Sequence, residues 1–597
     1  MNEEWNLRNI PPANHADLGE FCMKLIDTAI EERNRVQLPD RWDWSNRMMR
    51  GRHWNSAGRT SKMNKVTVNL MFANKNRIVA NLTARSPSTE VVPLDGNALF
   101  VPEVNAYLQK WWNETDQKDL MKTSIDRMEE YGTTFEKPVW DSGRKTTLII
   151  VNDIYSVLIA PGVWADIALE APYVCFMEAM PIEEIEAKYN VTGILASDTY
   201  SILGEQREEN RPEISGGFPS KVVSYSDSFK VAQSVGSSVT QKINQGRALI
   251  YELWVRDFSA EYEAFGNIRK ITLCENTKDG LSTILSDEKN PNINPAFPVA
   301  VAEKSFLFKR FPIWKSTSYE DTNSTYGFPI AEQVGDLAIK IDEIFSKMIS
   351  WSLKVMAPIF ICPQNIGITD DMIRNRINLV LRPNRPIPLN SIGYIQTPNL
   401  PASFYNILNI IIGFFDRIYA IEEADRGVVP KNVIAASAIQ ALQARNTIMM
   451  QHKMYSTEHI VENRGKAAIS MLQNFYPYPL TVSVDDEAKQ IIGTDLAGRE
   501  FNFVVESGST LPRTGMQVEA LAERAFQLNA IDRQAYLESI KFPGWRKIVE
   551  RVGEGQLGQA LHVLVQAGLP QEMAVELKRK LLEPQGGPGG SLAAPEA

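Results

Sequence analysis

The sequence predicts an α+β protein, mainly helical, built from several modules along 597 residues. Three observations predict it. Short β-branched runs fall between residues 139 and 301, where strands are favoured. Between 330 and 475 lie apolar-periodic stretches far too long for strands. The composition, 44% hydrophobic and 23% charged, is that of an ordinary folded chain long enough for more than one core.

Residues 17–50 read as helical, with Leu18, Phe21, Cys22, Leu25, Ile26 and Ala29 at helical spacing. A basic, aromatic stretch follows: Arg41, Trp42, Trp44, Arg47, Arg50, Arg52, Trp54, Arg59, Lys62 and Lys65. Charge and stacking there suit nucleic acid, but buried tryptophans in a core or interface are the preferred reading. Val66–Ala84 is helical, and Thr89–Val92 a short strand. Asn97–Tyr131 reads as one or two helices with Val104, Tyr107, Leu108, Trp111 and Trp112 inward. Strands follow between Val139 and Val174. Pro181 then opens a helix over Ile182–Tyr189, with glutamates at its positive end. Residues 203–246, rich in Gly, Ser, Asn and Gln, read as a mobile loop or insertion. Strands resume at Leu249–Trp254, Lys270–Cys274 and Pro298–Val301.

From Ile330 the apolar residues run Val334, Leu337, Ile341, Ile344, Met348, Trp351 and Val355, steps of four and three that make a heptad seam. Asp336 stands four before Lys340, and Glu343 four before Lys347, the favourable order for helix pairs. Pro358 ends this helix. Residues 359–398 form a compact, proline-punctuated unit: a strand at Ile359–Ile361, a short helix at Asp370–Asn378, a strand at Leu379–Leu381, and Arg374, Arg376, Arg382 and Arg385. A second long helix carries Ile407, Ile410, Ile411, Phe414, Phe415, Ile418 and Ile421 on one face. After the loop Asp425–Asn432, Ala435–Phe475 reads as one very long helix stopped by Pro477 and Pro479. Strands near Leu480–Val484 and Phe501–Val505, helices over 516–583 and a disordered Pro- and Gly-rich tail complete the chain.

A formal charge of -9 speaks against a simple DNA clamp and suits a conduit along which DNA slides. Cys22, Cys175, Cys274 and Cys362 are isolated and read as reduced thiols. The N-terminus shows no secretory signal, and the most apolar stretch, Ile407–Phe415, is far short of a membrane span. Gly553–Gly558 matches GxGxxG, but a helix precedes it where a dinucleotide site needs a strand. There is no GxxxxGK[ST] phosphate loop. His452 and His459, seven apart on a helix, are about 10 Å apart along it, too far to hold one metal directly. No cofactor, metal site or catalytic residue is expected.

The order of parts resembles the portal subunits of tailed bacteriophages, whose regions are called wing, stem, clip, stem, tunnel loop, wing and crown. Local sequence adds to the likeness. Arg50–Trp54, Val68–Asn69, Arg85–Pro87 and Val91–Pro93 look like the family's N-terminal block. Tyr326–Gly327, followed by Glu332, Gln333 and Asp342, is similar to the start of the first stem helix. Gly508–Pro512 and Asn529–Asp532 resemble the lead into the C-terminal helices. The resemblance covers most of residues 40–550, and its specific part is the order of these motifs.

It implies a wing over 1–325, a first stem helix over 326–358, a clip over 359–398 and a second stem helix over 399–424. A tunnel loop over 425–436, a long helix with wing strands over 437–510, a crown over 511–583 and a tail over 584–597 follow. It further implies a dodecameric ring at one capsid vertex of the virion, assembled in the host cytoplasm. Double-stranded viral DNA would pass through it without sequence preference. The partners implied are the terminase large subunit, the major capsid and scaffolding proteins, and then head–tail adaptor or tail proteins. The tunnel-loop residues Gly427, Val428, Val429, Pro430, Lys431 and Asn432 would meet DNA, with Lys431 on phosphate. Lys340 and Lys347 would face the channel, and Arg374, Arg376, Arg382 and Arg385 would contact clip partners. The competing readings are another head–tail adaptor or minor capsid protein, and a nucleic-acid-processing enzyme.

Overall fold

The computed structural model describes residues 5–13, 15–54, 65–84, 87, 89–94, 100–195, 247–274, 283–356, 360–361, 393–394, 401–419, 436–484 and 487–505, with short stretches between 522 and 540. The chain divides into two compact units, Met1–Leu511 and Pro512–Ala597. In the second, residues 522–527 and 535–537 are helical, and Phe526 lies 5.1 Å from Tyr536, ring to ring. The composition of elements is mixed helix and strand, as the sequence predicts.

The N-terminal helical region is two helices, α1 (Leu18–Arg35) and α2 (Leu38–Met49), broken where Gln37 takes a left-handed conformation. They flank an antiparallel five-stranded sheet of order β4-β5-β6-β7-β8. Its strands are β4 (Val157–Ile159), β5 (Tyr173–Pro181), β6 (Arg247–Arg256), β7 (Ile268–Cys274) and β8 (Thr283–Lys289). Side chains alternate between the two faces of a strand. Tyr173, Cys175, Leu249, Tyr251, Leu253 and Leu273 pack with Leu18, Phe21, Cys22 and Ile26 of α1. Val174, Phe176 and Trp254 pack on the other face with Trp42 of α2, Phe311 and Ile313. Both faces are covered, so β6 is buried along nearly its whole length rather than every second residue.

A second core joins α3 (Leu70–Leu82), β1 (Thr89–Pro93), α4 (Val101–Glu114) and α5 (Gln117–Tyr131) to a sheet of order β3-β2-β9. That sheet comprises β2 (Thr133–Asp141), β3 (Thr146–Asn152) and β9 (Trp314–Thr317). Gly132 (φ 84) turns α5 into β2, and a Cβ there would stand 2.4 Å from the Phe328 carbonyl carbon. Only glycine serves both needs. Short helices α6 (Ile167–Glu170), α7 (Ile182–Tyr189), α8 (Ala260–Glu263) and α9 (Val299–Ala302) fill the connections. The last corrects an expectation: Pro298–Val301 is not a strand. Proline just ahead of a first turn is compatible with a helix, and the two valines misled. The strands β8 and β9 were not foreseen from sequence.

Three long helices follow: α10 (Ala331–Met356), α11 (Ala402–Ile418) and α12 (Ala436–Phe475). Between α10 and α11, β10 (Phe360–Ile361) pairs antiparallel with β11 (Gly393–Tyr394). After α12 come the hairpin β12 (Pro479–Val484) with β13 (Glu487–Ile492), and β14 (Phe501–Val505). β14 pairs with β1 across some 400 residues of sequence, so the chain after α12 returns to its own N-terminal third.

Candidate assembly surface

The α10 helix is built into the body at its N-terminal half. Ile330, Val334 and Ile341 are buried, and Leu337 and Ile344 pack on the same core. A Cβ on Gly335 would stand 2.2 Å from the Trp44 ring, so that position admits only glycine against α2. Arg41 holds Glu332 through two bonds of 2.8 and 2.9 Å. Residues 65–69 are hooked onto the next turns. The Val68 N–H donates to Asp342 Oδ1 (2.8 Å) and the Val66 N–H to Ser346 Oγ (2.9 Å). His53 Nε2 lies 3.3 Å from the other Asp342 oxygen, and both side chains are buried. Burial pushes the Asp342 carboxyl up to about 6, against the pull of the Val68 N–H. The same burial pushes the His53 imidazole down.

These contacts account for Arg41 and the three tryptophans of the basic, aromatic stretch, while Arg50, Arg52 and Lys65 are exposed. Trp42 is buried, Trp44 packs on the core, Arg41 is paired and the Trp54 indole donates to Thr67 (2.9 Å). The core reading fits the tryptophans. Arg59 and Lys62 lie outside the described residues.

The α11 helix packs on α10, with Leu408, Phe415 and the following Tyr419 buried. A second apolar line remains open. Ile407, Ile410, Phe414 and Ile418 are 49%, 56%, 51% and 41% exposed. At about 100° per residue, this line stands roughly a quarter-turn round the helix from the Leu408–Phe415 face. The single apolar face expected from sequence is therefore two: Phe415 and, in part, Ile411 turn inward, while Ile407, Ile410, Phe414 and Ile418 turn out; Ile421 lies outside the described residues. α10 shows the same feature more weakly, with Ile349 and Leu353 exposed. The inner faces hold the two helices together, and among the described residues the outer ones stay exposed.

The α12 helix is about 60 Å long at 1.5 Å per residue. Two buried ion pairs anchor it, one near its middle and one in its second half. Arg464 reaches Glu136 of β2 with Nε at 2.9 Å and Nη2 at 2.6 Å, and both side chains are fully buried. Ser124 and Trp314 also donate to that carboxylate, and Arg464 donates to Gln117. Eleven residues earlier, Lys453 pairs with Glu129, which also accepts from Ser318. Eleven residues is close to three full turns, so both cations leave the same face. The sequence signalled neither pair. The one hint was small Gly465, Ala467 and Ala468 beside Arg464, which leave room for close packing.

A cleft of about 640 Å³ runs between α12, β9 and residues 165–168 and 306–311. His452 and His459 line it, but His459 bonds Asn463 (2.9 Å) and His452 stacks on Tyr319. Arg310 pairs with Asp166 (2.9 Å), and Lys315 donates to the Trp164 and Thr325 carbonyls. These polar groups serve the protein's own packing.

Of the residues singled out from sequence, Lys340 and Lys347 are exposed on α10. Lys340 pairs with Glu343 (3.0 Å), three residues on, instead of with Asp336. Arg374, Arg376, Arg382 and Arg385, the expected elements at 370–381, and Gly427, Val428, Val429, Pro430, Lys431 and Asn432 all lie outside the described residues, as do Cys362 and Gly553–Gly558. Cys22, Cys175 and Cys274 are buried and unbridged. Among the described residues no helix is long and apolar enough to cross a membrane. No protein-family model matches the chain, and no curated protein matches it.

Proposed function

We propose that this chain is the portal subunit of a tailed bacteriophage. Copies assemble into a ring at one capsid vertex, through which DNA is packaged and later ejected. One observation carries the reading: two packed helices, α10 and α11, flank a small insert and each presents a second, uncovered apolar face. Covering the exposed halves of Ile407, Ile410, Phe414 and Ile418 is worth on the order of 1 kcal/mol each. Copies side by side supply that cover on both flanks of every subunit. The sequence likeness supplies the rest: the order of parts, the dodecameric count and the partners.

In this reading α10 and α11 are the stem, residues 359–398 the clip and residues 425–436 the tunnel loop. Lys340 and Lys347 face the channel, Lys431 meets DNA phosphate, and the clip arginines dock terminase and then adaptor or tail proteins. The protein works by geometry and performs no covalent chemistry. Negative-stain micrographs of the purified full-length chain test the proposal. End-on rings with a central hole are expected, and Phe414→Glu should abolish them while leaving the folded protomer's circular dichroism unchanged. A wild-type protein that stays a single particle at high concentration would refute the reading.

A further inference from the structure

Methionine is not spread evenly over the cores. The core around the helices buries Met48 and Met49 of α2, Met71 of α3, Met121 and Met128 of α5, and Met454 of α12, and Met348 of α10 packs against it. The core between α1 and the five-stranded sheet buries Met177 alone, and the core on the sheet's other face buries none. Those two cores are filled mainly by aromatic, leucine, isoleucine and valine side chains. The methionine-bearing helices meet one another: α10 packs on α2 and α3, α12 on α3 and α5, and α5 on α2 and α3. Every helix of this junction thus brings a methionine. Methionine is unbranched, turns about three side-chain bonds and carries a polarisable sulfur, so it refills a changing gap at little cost. Branched and aromatic side chains interlock in one arrangement and resist a shift.

We propose that this junction is a compliant joint: α10 and the middle of α12 shift against α2, α3 and α5 by repacking methionines, while the five-stranded sheet and the far end of α12 stay fixed. The two ion pairs match that division. Lys453, beside Met454, holds Glu129, beside Met128, and a lysine on its flexible stem can follow a moving partner. Arg464 grips both oxygens of Glu136 with a planar fork, which fixes direction as well as distance. Beyond it the contacts are close and directional. The Phe503 ring occupies the space that a side chain at Gly465 would need. Asn474 bonds Asn294 twice, at 3.0 and 3.1 Å, and donates to Ser305 (3.1 Å). The joint lies within one chain, so it holds whether or not copies form a ring.

Methyl NMR of the full-length chain, deuterated and labelled at the methionine ε-methyl carbons, tests the joint. Relaxation dispersion on the μs–ms scale is expected at Met71, Met121, Met128 and Met454. None is expected at Met177, or at Met471, which is buried farther along α12. Flat profiles at the four junction methionines, or equal dispersion at Met177 and Met471, overturn the proposal. The wild-type profiles decide this by themselves. The variant M71L/M121L/M128L/M454L asks whether methionine is the cause. Leucine nearly conserves the volume, so the protein should still melt cooperatively, while dispersion at the remaining Met48 and Met49 disappears. Dispersion persisting there unchanged would assign the motion to another source and sink the joint.

Discussion

Arg464 and Glu136 have no solvent exposure, and each is satisfied by the other and by neighbouring donors and acceptors. Removing one partner strands a buried charge, which typically costs about 3–5 kcal/mol. Arg464→Met should lower stability by that order in a denaturant titration, and adding Glu136→Leu should recover much of it. No recovery would mean that the pair does more than neutralise itself. Asp342 works in the opposite direction. Its folded-state pKa, about 6, lies above the ordinary carboxylate value of 3.8. The folded chain therefore holds the proton more tightly than the unfolded one. Stability linked to this group is fully present below 3.8 and is lost as pH rises through about 6. Asp342→Asn keeps an acceptor for the Val68 N–H and removes the charge. It should raise stability at pH 7.5 by about 2 kcal/mol, the advantage shrinking toward pH 4. Equal stabilities at both pH values would show that the carboxylate is not penalised there. Neither residue could be ranked from sequence. An arginine in a long helix and an aspartate near a histidine look the same whether solvated or buried.

The elements were legible wherever periodicity was long or punctuation strong. The helix after Ile330 and the run to Phe475 emerge as read, the seam packing from Ile330 to Met348, and Ile182–Tyr189 has the limits that Pro181 set. Pattern failed where segments were short: Val299–Ala302 is helical despite its valines, and β8, β9 and β13 gave little period to detect. It failed also where one helix serves two neighbours, because a broad apolar arc in sequence does not say which part is covered. β10 and β11 bring the start and the end of the 362–392 segment together as an antiparallel pair. Replacing those residues by a tight Gly-Asn turn should leave α10 packed on α11 and the thermal transition of Met1–Leu511 unchanged. A large loss of helical signal would show that the segment holds the helices together.

At the scale of the whole molecule, assembly through apolar side chains and assembly through ion pairs respond differently to salt. Exposed charges are screened within about 8–10 Å at physiological ionic strength and within roughly 3 Å at 1 M, whereas apolar contacts are not weakened. Copies carrying -9 each also repel one another, and salt relieves that repulsion. Sedimentation velocity should therefore show assembly maintained or increased at about 1 M sodium chloride relative to about 0.1 M. Dissociation by salt would assign the interface to charges. The number of copies and the identity of the partners came from likeness of order alone, because they depend on surfaces that one chain does not contain.

The α12 rod has a mechanical consequence. Cations at Lys453, near its middle, and Arg464 fix it to the body, while its first residue, Ala436, stands seventeen residues ahead of the nearer one. A push delivered at that end travels down a continuous hydrogen-bonded column and arrives as shear on two dry charge pairs three turns apart. Because Glu129 belongs to α5 and Glu136 to β2, those two elements are the ones that receive it.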